Sequence, residues 1–168
     1  MTSLSDIRQM IHPFPPVIAA DACCLILGTF PSVKSVADGY YYANPANRFY
    51  AVLSALFQDD VCALDWTLKR EWLIRHRLAL YDVIESCTIH GSSDAMISDI
   101  HPANLESLLN QAPIRRIFCN GKRAYVEYKR YFSHLNVPVT LLPSTSPANA
   151  KIRLPELIHA WHILVESI

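Results

Sequence analysis

The sequence has 168 residues, of which 51% are hydrophobic and 18% charged, and Lys plus Arg equal Asp plus Glu in number. This length and composition predict a single globular domain over residues 1–168. A net charge of zero excludes a general attraction to nucleic acid or membranes, so a nucleic-acid partner would need local basic groups. No apolar run has the length of a membrane span, and the first segment, with Asp6 and paired prolines, is not typical of a signal peptide.

The five cysteines are odd in number, and no two of them form a CxxC pair. Most lie in apolar runs, where a free cysteine behaves as a small hydrophobic residue. We therefore expect a reduced, cytoplasmic setting and no iron–sulfur cluster. His159 and His162 lie one helical turn apart, but no third ligand is near them in sequence, so we expect no metal site.

Four short apolar runs predict strands, and segments with helical spacing lie between and after them. In chain order the predictions are strand 23–30, helix 47–57, strand 78–84, helix 104–111, strand 114–120, helix 122–132, strand 137–143 and helix 156–168. The strand segments are almost continuously hydrophobic, as expected for strands that are covered on both faces. Their alternation with helices predicts a three-layer α/β/α sandwich around a central four-stranded, mainly parallel sheet.

Ligands of such sheets bind at the carboxyl ends of the strands. The segment after the first strand, GTFPS, makes a turn at Gly28 and a bend at Pro31 and places Phe30 at the sheet edge. That ring either stacks on a flat heterocycle or closes the core of the sandwich. The corresponding segments after the other three strands are 85–94 (ESCTIHGSSD), 120–125 (NGKRAY) and 142–149 (LPSTSPAN).

Three consecutive tyrosines precede the first predicted helix. Successive residues of an extended segment face opposite ways, so we expect Tyr40 and Tyr42 on one side and Tyr41 on the other. Asn44 follows at the position of a helix N-cap, and Asn47 falls in the first turn. Capping alone would explain Asn44, whereas Asn47 and Arg48 would either tie the loop down or face a phosphate.

The serine-rich segment after the fourth strand supplies hydroxyls and backbone amides. Pro147 is expected to start a helix, and the free amides of a helix N-terminus attract phosphate. A plain serine-capped turn is the alternative. The Pro-Ala-Asn pattern of this segment also occurs at residues 45–47 and 102–104, and we interpret all three as helix starts. Basic residues near the strand ends would complete a phosphate-binding rim: Lys34, Arg48, Lys122, Arg123, Lys151 and Arg153.

The pair of segments LILGTFPS…YYYANPANRFY and LPSTSPAN, in this order and at this separation, resembles the uracil-DNA glycosylase superfamily. Within it the sequence is most similar to the hypoxanthine (deoxyinosine) DNA glycosylase branch, sometimes called family six. The similarity extends from Cys23 to Ala150 and includes the segments LYDVIESCTIHGSSDAMI and IFCNGKRAY.

One departure from related branches matters for the chemistry. Mismatch-specific and thymine glycosylases carry the motif GINPG, whose asparagine positions the attacking water, and Phe30 stands at that position here. The resemblance to the hypoxanthine branch implies that Asn44 positions the water, with Asn47 as the alternative. The four cysteines of the cluster-binding members are absent, so no iron–sulfur cluster is implied.

The resemblance implies a monofunctional DNA glycosylase that flips a deaminated base out of the helix and hydrolyses its N-glycosidic bond. Hypoxanthine is the expected base, with uracil and xanthine as further candidates, and the expected partner is double-stranded DNA. We expect a monomer without a cofactor. The expected base-binding residues are Gly28, Thr29, Phe30, Pro31 and Tyr42. The expected DNA contacts are Ser32, Lys34, Arg48, Lys122, Ser144, Thr145, Ser146 and Lys151.

Two other functions stay open at this point. The absence of the GINPG asparagine is compatible with a module of the same fold that binds damaged DNA without cutting it. A hydrolase of free nucleosides is the third hypothesis, and it would not need the serine-rich loop. We interpret Asp82, in the second strand, as a buried structural acid rather than as a group that faces the pocket.

Overall fold

The computed structural model describes residues 7–91 and 96–168. No helix in these ranges has the length and apolar character needed to cross a bilayer. The strands are β1 (Ile7–Ile11), β2 (Cys24–Gly28), β3 (Leu78–Asp82), β4 (Ile84–His90), β5 (Ile97–Pro102), β6 (Arg116–Asn120) and β7 (Val139–Leu142). The helices are α1 (Val33–Asp38), α2 (Phe49–Phe57), α3 (Trp66–Arg75), α4 (Leu105–Gln111), α5 (Lys122–Phe132), α6 (Leu154–Trp161) and α7 (Ile163–Glu166).

The central sheet contains four strands in the order β3-β2-β6-β7, and each neighbouring pair is parallel. This confirms the predicted four-stranded parallel sheet. Gly28 pairs with Asp82, and Leu27 pairs with Cys119. The last residues of β2, β3 and β6 therefore lie at the same height and form a common edge.

Helices cover both faces of this sheet. The side chain of Ile26 belongs to the core on one face, whereas Leu25 and Leu27 belong to the core on the other. Helices α2, α3, α6 and α7 pack on the first face, where Trp72 and Trp161 are fully buried, and α4 and α5 pack on the second. Burial on both faces explains the continuous apolar runs, and the predicted α/β/α sandwich is confirmed.

The sequence did not predict the second sheet, which has three antiparallel strands in the order β1-β4-β5. The segment 85–94, expected as a loop, forms β4 as far as His90, and its residues 92–94 lie outside the described ranges. Only Val83 separates β3 from β4, so the chain passes from one sheet directly into the next. The buried side of this sheet extends the core that α4 and α5 cover, for example through Cys87.

Two of the three Pro-Ala-Asn segments are turns rather than helix starts. Helix α2 begins at Phe49, and α6 begins at Leu154 after turns over residues 146–152. The predicted helix starts at Pro45 and Pro147 are therefore wrong, although α2 itself forms within the predicted range 47–57. Only the segment 102–104 leads directly into a helix. Asn104 caps α4 by accepting the backbone N–H of Ser107 at 3.1 Å.

Candidate functional site

A cavity of about 120 Å³ opens at the common edge of β2, β3 and β6. Its floor is formed by the last residues of these strands, Gly28, Asp82 and Asn120. A methyl group on Gly28 would overlap Oδ1 of Asp82 and lie 3.1 Å from the hydroxyl of Tyr42. Glycine therefore keeps the floor open between a carboxylate and an amide. The volume is close to the roughly 150 Å³ of an engineered cavity that accepts benzene, so the space suits one flat ring system.

The residues predicted to bind a base lie together in this cavity. Phe30, Thr29 and Pro31 form one wall, directly after β2. Phe30 is 9% exposed, and its ring centroid lies 5.8 Å from that of His12 in an edge-to-face contact. The two hypotheses for this ring are thus compatible, because Phe30 belongs to the core and also lines the cavity.

The three tyrosines do not alternate as predicted. Tyr42 has φ of 56°, a left-handed conformation that is uncommon for a bulky residue, and residues 41 and 42 form a turn rather than the expected extended segment. Tyr40 and Tyr41 both pack on Trp66, whereas Tyr41 and Tyr42 both line the cavity. The ring of Tyr42 stacks on Phe49 with centroids 4.1 Å apart, so one of its faces is already covered.

The phenols at the cavity are held in their neutral form. Burial raises the pKa of Tyr41 and Tyr42 well above the usual value, and the negative charge of Asp82 adds to the effect. The nearby amide of Asn120 partly offsets the rise in the pKa of Tyr42. Even so, the Tyr42 hydroxyl is buried and has no hydrogen-bond partner among the residues that the structure describes.

Asn44 lies half-buried at the cavity. Its Oδ1 accepts the backbone N–H of Ala46 at 3.0 Å, and its carbonyl accepts the N–H of Asn47 at 2.9 Å, so it closes a turn rather than capping a helix. An amide oxygen has two lone pairs, and its nitrogen carries two hydrogens. Within the described ranges, one lone pair and both amide hydrogens of Asn44 have no partner. Asn44 can therefore still accept from, or donate to, a ligand or a water molecule.

Asn47 differs from Asn44 because its amide oxygen is fully engaged. Oδ1 accepts the backbone N–H of Phe49 at 2.9 Å and the hydroxyl of Thr145 at 2.8 Å. That hydroxyl accepts Nδ2–H of Asn120 at 2.9 Å, and Oδ1 of Asn120 accepts the N–H of Thr145 at 3.0 Å. Thr145 is fully buried in this network. Its hydroxyl is therefore not available to DNA, contrary to the prediction.

Arg48 has the first of its two predicted roles, because it ties the loop down, and its contact with phosphate stays a prediction. Its guanidinium donates to the backbone carbonyls of Ser146 at 3.2 Å, of Asn149 at 3.0 Å and of Ile152. These three hydrogen bonds hold the turn that follows Ser146 against the residue preceding α2. Arg48 thus fixes one loop of the cavity to the other.

The serines predicted to contact DNA form local hydrogen bonds and still line the cavity. Oγ of Ser144 accepts the N–H of Ser146 at 3.1 Å, and Oγ of Ser146 accepts the N–H of Ala148 at 3.2 Å. Ser32 caps α1 by accepting the N–H of Ser35 at 3.1 Å. Each hydroxyl therefore shapes its own loop while it remains at the cavity mouth.

A wider groove of about 660 Å³ adjoins the cavity on the side of α5, and Lys122 and Arg123 line it. Lys122 and Lys151 are exposed. Lys34 is also exposed but forms an ion pair with Asp38, with 3.0 Å between Nζ and Oδ2. The residues common to the groove and the cavity are Thr29, Asn120, Ser144 and Ser146.

Sequence reasoning gave no role at this site to Ser35 or Asn120, and it favoured a structural role for Asp82. Asp82, interpreted as a structural acid, is buried but lines the cavity, and its Oδ2 lies 2.7 Å from Nε2 of His12. Asn120 belongs to the segment 120–125 that was predicted at the strand ends, but no role was predicted for its side chain. Their positions could have predicted a place at the site, because Asp82 and Asn120 are the last residues of two parallel strands, where ligands bind. In the described ranges, no three His, Cys, Asp or Glu side chains are grouped so that they could hold a metal ion.

The chain is similar to known proteins over most of its length. A family model of the uracil DNA glycosylase superfamily matches residues 15–164. The chain is 29% identical over 138 residues to a hypoxanthine DNA glycosylase of Methanosarcina acetivorans and 30% identical over 139 residues to that of Methanosarcina barkeri. Each alignment covers 82% of this chain and 87% of the relative.

The fold is also similar to a solution NMR structure from Methanosarcina acetivorans, of a protein named as a candidate uracil DNA glycosylase. The TM-score is 0.78 at 29% identity, and the alignment covers 93% of this chain and 99% of that one. The residues matched by the family model include every residue that lines the cavity. The chain therefore belongs to the uracil DNA glycosylase superfamily.

Proposed function

We propose that this protein is a monofunctional DNA glycosylase that removes hypoxanthine from double-stranded DNA, yielding free base and an abasic site. The proposal rests mainly on the position of Asn44. Its side chain lines a cavity that suits one flat ring, and one lone pair and both amide hydrogens have no partner among the described residues. The names of the two Methanosarcina relatives, at about 30% identity, support hypoxanthine as the base. The order and spacing of the loop segments support the same function.

The cavity and its groove suit a flipped nucleotide. Extruding a base from the duplex costs a few kcal/mol, and stacking on an aromatic ring recovers about 1–3 kcal/mol per base. Phe30 supplies such a ring at the cavity wall. Lys122 is exposed in the groove that adjoins the cavity and offers positive charge to the phosphates on one side of the flipped nucleotide, whereas Arg123 is paired with Glu127 at 3.1 Å.

Asn44 is the better candidate for positioning the water. Breaking the N-glycosidic bond gives a sugar cation and a departing base anion, so the water needs a fixed position more than strong activation. Oδ1 of Asn44 retains one lone pair for a water hydrogen, whereas both lone pairs of Asn47 Oδ1 are engaged. Asn47 is therefore a positioning residue: it accepts the hydroxyl of Thr145 and so holds the two loops of the cavity together.

Amide groups stabilise the departing base. Asn120 donates one Nδ2 hydrogen to Thr145 and has a second, which the cavity floor can offer to a carbonyl oxygen of the base. A donor held in place before the reaction stabilises developing negative charge without reorganisation. Since no lysine lines the cavity in the described part of the chain, we expect an abasic product without strand cleavage.

Labelled duplexes test this proposal. Each would carry one hypoxanthine, uracil, xanthine or mispaired thymine, and alkali would reveal abasic sites as strand breaks. We expect cleavage at hypoxanthine only after alkali, strongly reduced in Asn44→Ala and retained in part in Asn47→Ala. Binding of the hypoxanthine duplex without base release would favour the damage-binding module, and release from free inosine alone would favour the nucleoside hydrolase.

A further inference from the structure

A carboxylate on the cavity floor has no part in the hydrolysis described above. Asp82 is 4% exposed, lines the cavity and pairs in register with Gly28. Its Oδ1 lies where a side chain on Gly28 would stand, and it has no hydrogen-bond partner among the described residues. The cavity therefore presents one bare carboxylate oxygen, and an ionised carboxylate only accepts hydrogen bonds.

His12 fixes the orientation of this carboxylate. Nδ1 of His12 accepts the backbone N–H of Phe14 at 3.2 Å, so the proton of the neutral ring lies on Nε2. Nε2–H then donates to Oδ2 of Asp82 at 2.7 Å. The imidazole is packed between aromatic rings, with centroids 5.8 Å from Phe30 and 4.7 Å from Tyr81. Oδ2 is thus engaged, and Oδ1 is left for a ligand.

We infer that Asp82 is a specificity-determining residue whose Oδ1 accepts a hydrogen bond from the ring N–H on the pairing edge of the flipped base. The inference rests on the proposed function and names the feature of the base that the site selects. Deamination of adenine to hypoxanthine converts the ring nitrogen N1 from an acceptor into an N–H donor, and deamination of cytosine does the same at N3. A carboxylate oxygen binds that N–H and repels the lone pair of the undamaged base.

The contribution of Asp82 belongs to base binding rather than to bond cleavage. A negative charge beside the base does not stabilise its departure as an anion. Loss of the hydrogen bond therefore raises KM and the Kd of the flipped state while kcat is retained. A residue with a merely structural role would instead lower stability and activity towards all bases alike.

The substitution Asp82→Asn reverses the polarity of this contact. Since Nε2 of His12 still donates, the oxygen of the new amide faces His12 and its nitrogen faces the cavity. The amide nitrogen is a donor, which suits the lone pair of adenine N1 and not the N–H of hypoxanthine. We expect the preference for hypoxanthine over adenine to fall roughly 10- to 100-fold, as for a lost hydrogen bond to a charged group.

The experiment compares binding and single-turnover excision on duplexes that differ only in the target base, hypoxanthine or adenine. A 2′-fluoro sugar at the target slows cleavage in the binding measurements. The result is the ratio of preferences between variant and wild type, so the different costs of opening the two base pairs cancel. Asp21→Asn is the matched control, because Asp21 is exposed at the amino end of β2, and it should keep the wild-type preference.

The outcomes separate the inference from the proposed function. Wild-type protein that leaves hypoxanthine duplexes intact would contradict the proposed function. Wild-type protein that excises hypoxanthine, with Asp82→Asn keeping the full preference, would overturn the inference alone.

Thermal melting by circular dichroism checks the fold. If Asp82→Asn does not fold, Gly28→Ala serves instead, since its methyl group displaces Oδ1 of Asp82. An unchanged preference in Gly28→Ala would equally overturn the inference.

Discussion

The hydroxyl of Thr145 lies 2.8 Å from Oδ1 of Asn47, and this hydrogen bond joins two loops that are 98 residues apart in sequence. The same hydroxyl accepts from Asn120 at the cavity floor. Thr145→Val keeps the shape of the side chain but leaves the buried amide of Asn120 without its acceptor. We expect the free energy of unfolding in urea to fall by about 1–3 kcal/mol. Excision should also slow, because Asn47 no longer fixes the loop that carries Asn44.

Thr140→Val is the control for this substitution. Thr140 lies in β7, is half-buried, and its hydroxyl has no hydrogen-bond partner in the described part of the chain. We expect a change within about 0.5 kcal/mol there. Equal losses of stability in the two variants would show that the bridge between the loops contributes nothing.

The guanidinium of Arg48 makes a second prediction about the same pair of loops. It donates to three backbone carbonyls between residues 146 and 152, and the single ammonium of a lysine cannot reproduce this planar fork. In Arg48→Lys we expect amide hydrogen exchange over residues 146–152 to speed up by a factor that corresponds to about 1–3 kcal/mol. Affinity for DNA should fall with it.

Arg75→Lys, at the exposed end of α3, provides the comparison and should leave exchange in that segment unchanged. Unaltered exchange in Arg48→Lys would mean that the turn is held by its own hydrogen bonds, such as that from Asn149 to the carbonyl of Ser144. Because lysine keeps the positive charge, a loss of DNA affinity would in that case come from direct contacts of the guanidinium and not from the order of the turn.

Thiol reactivity is a further prediction. Burial raises the pKa of the Cys24 and Cys119 thiols to about 12, whereas Cys62 is exposed. Only the thiolate reacts with disulfide reagents, so at pH 8 we expect one fast thiol, removed in Cys62→Ser, and slow reaction of the buried ones. Above pH 9.0, the ordinary pKa of a cysteine here, the unfolded chain loses protons that the folded chain keeps. Stability should therefore fall from about pH 9 towards pH 12, as measured by urea denaturation.

The sequence was sufficient to predict the central sheet and the loops that carry the site. Strands buried on both faces are continuously apolar, and their alternation with helices admits few topologies. The carboxyl ends of parallel strands meet at one edge, so the segments around Phe30 and Ser144 could be placed together before any coordinates. Family resemblance added the candidate role of Asn44, which composition alone does not provide.

The remaining features depend on partners that are distant in sequence. Strand β1 is short and largely exposed, and it becomes a strand by pairing Ile7 with His90. The sequence does not show the direction of a polar side chain either. It could not show that Thr145 is fully buried, nor which of its two predicted roles Arg48 would have. Asp82 was expected to be internal and instead lines the cavity. The sequence does not show that Gly28 lies beside it and leaves space for its carboxylate.

The rim of basic residues is tested by the salt dependence of DNA binding. Each neutralised phosphate contributes about −0.9 to the slope of log K against log salt concentration for duplex DNA. Lys122 is exposed at the groove beside the cavity, so Lys122→Ala should weaken binding to all sequences and reduce the slope by about one. Lys129, with the same charge near the other end of α5, is the control, and Lys129→Ala should leave the slope unchanged. If both substitutions reduce the slope equally, the DNA strand does not follow the groove beside the cavity, and the DNA contacts α5 along its whole length instead.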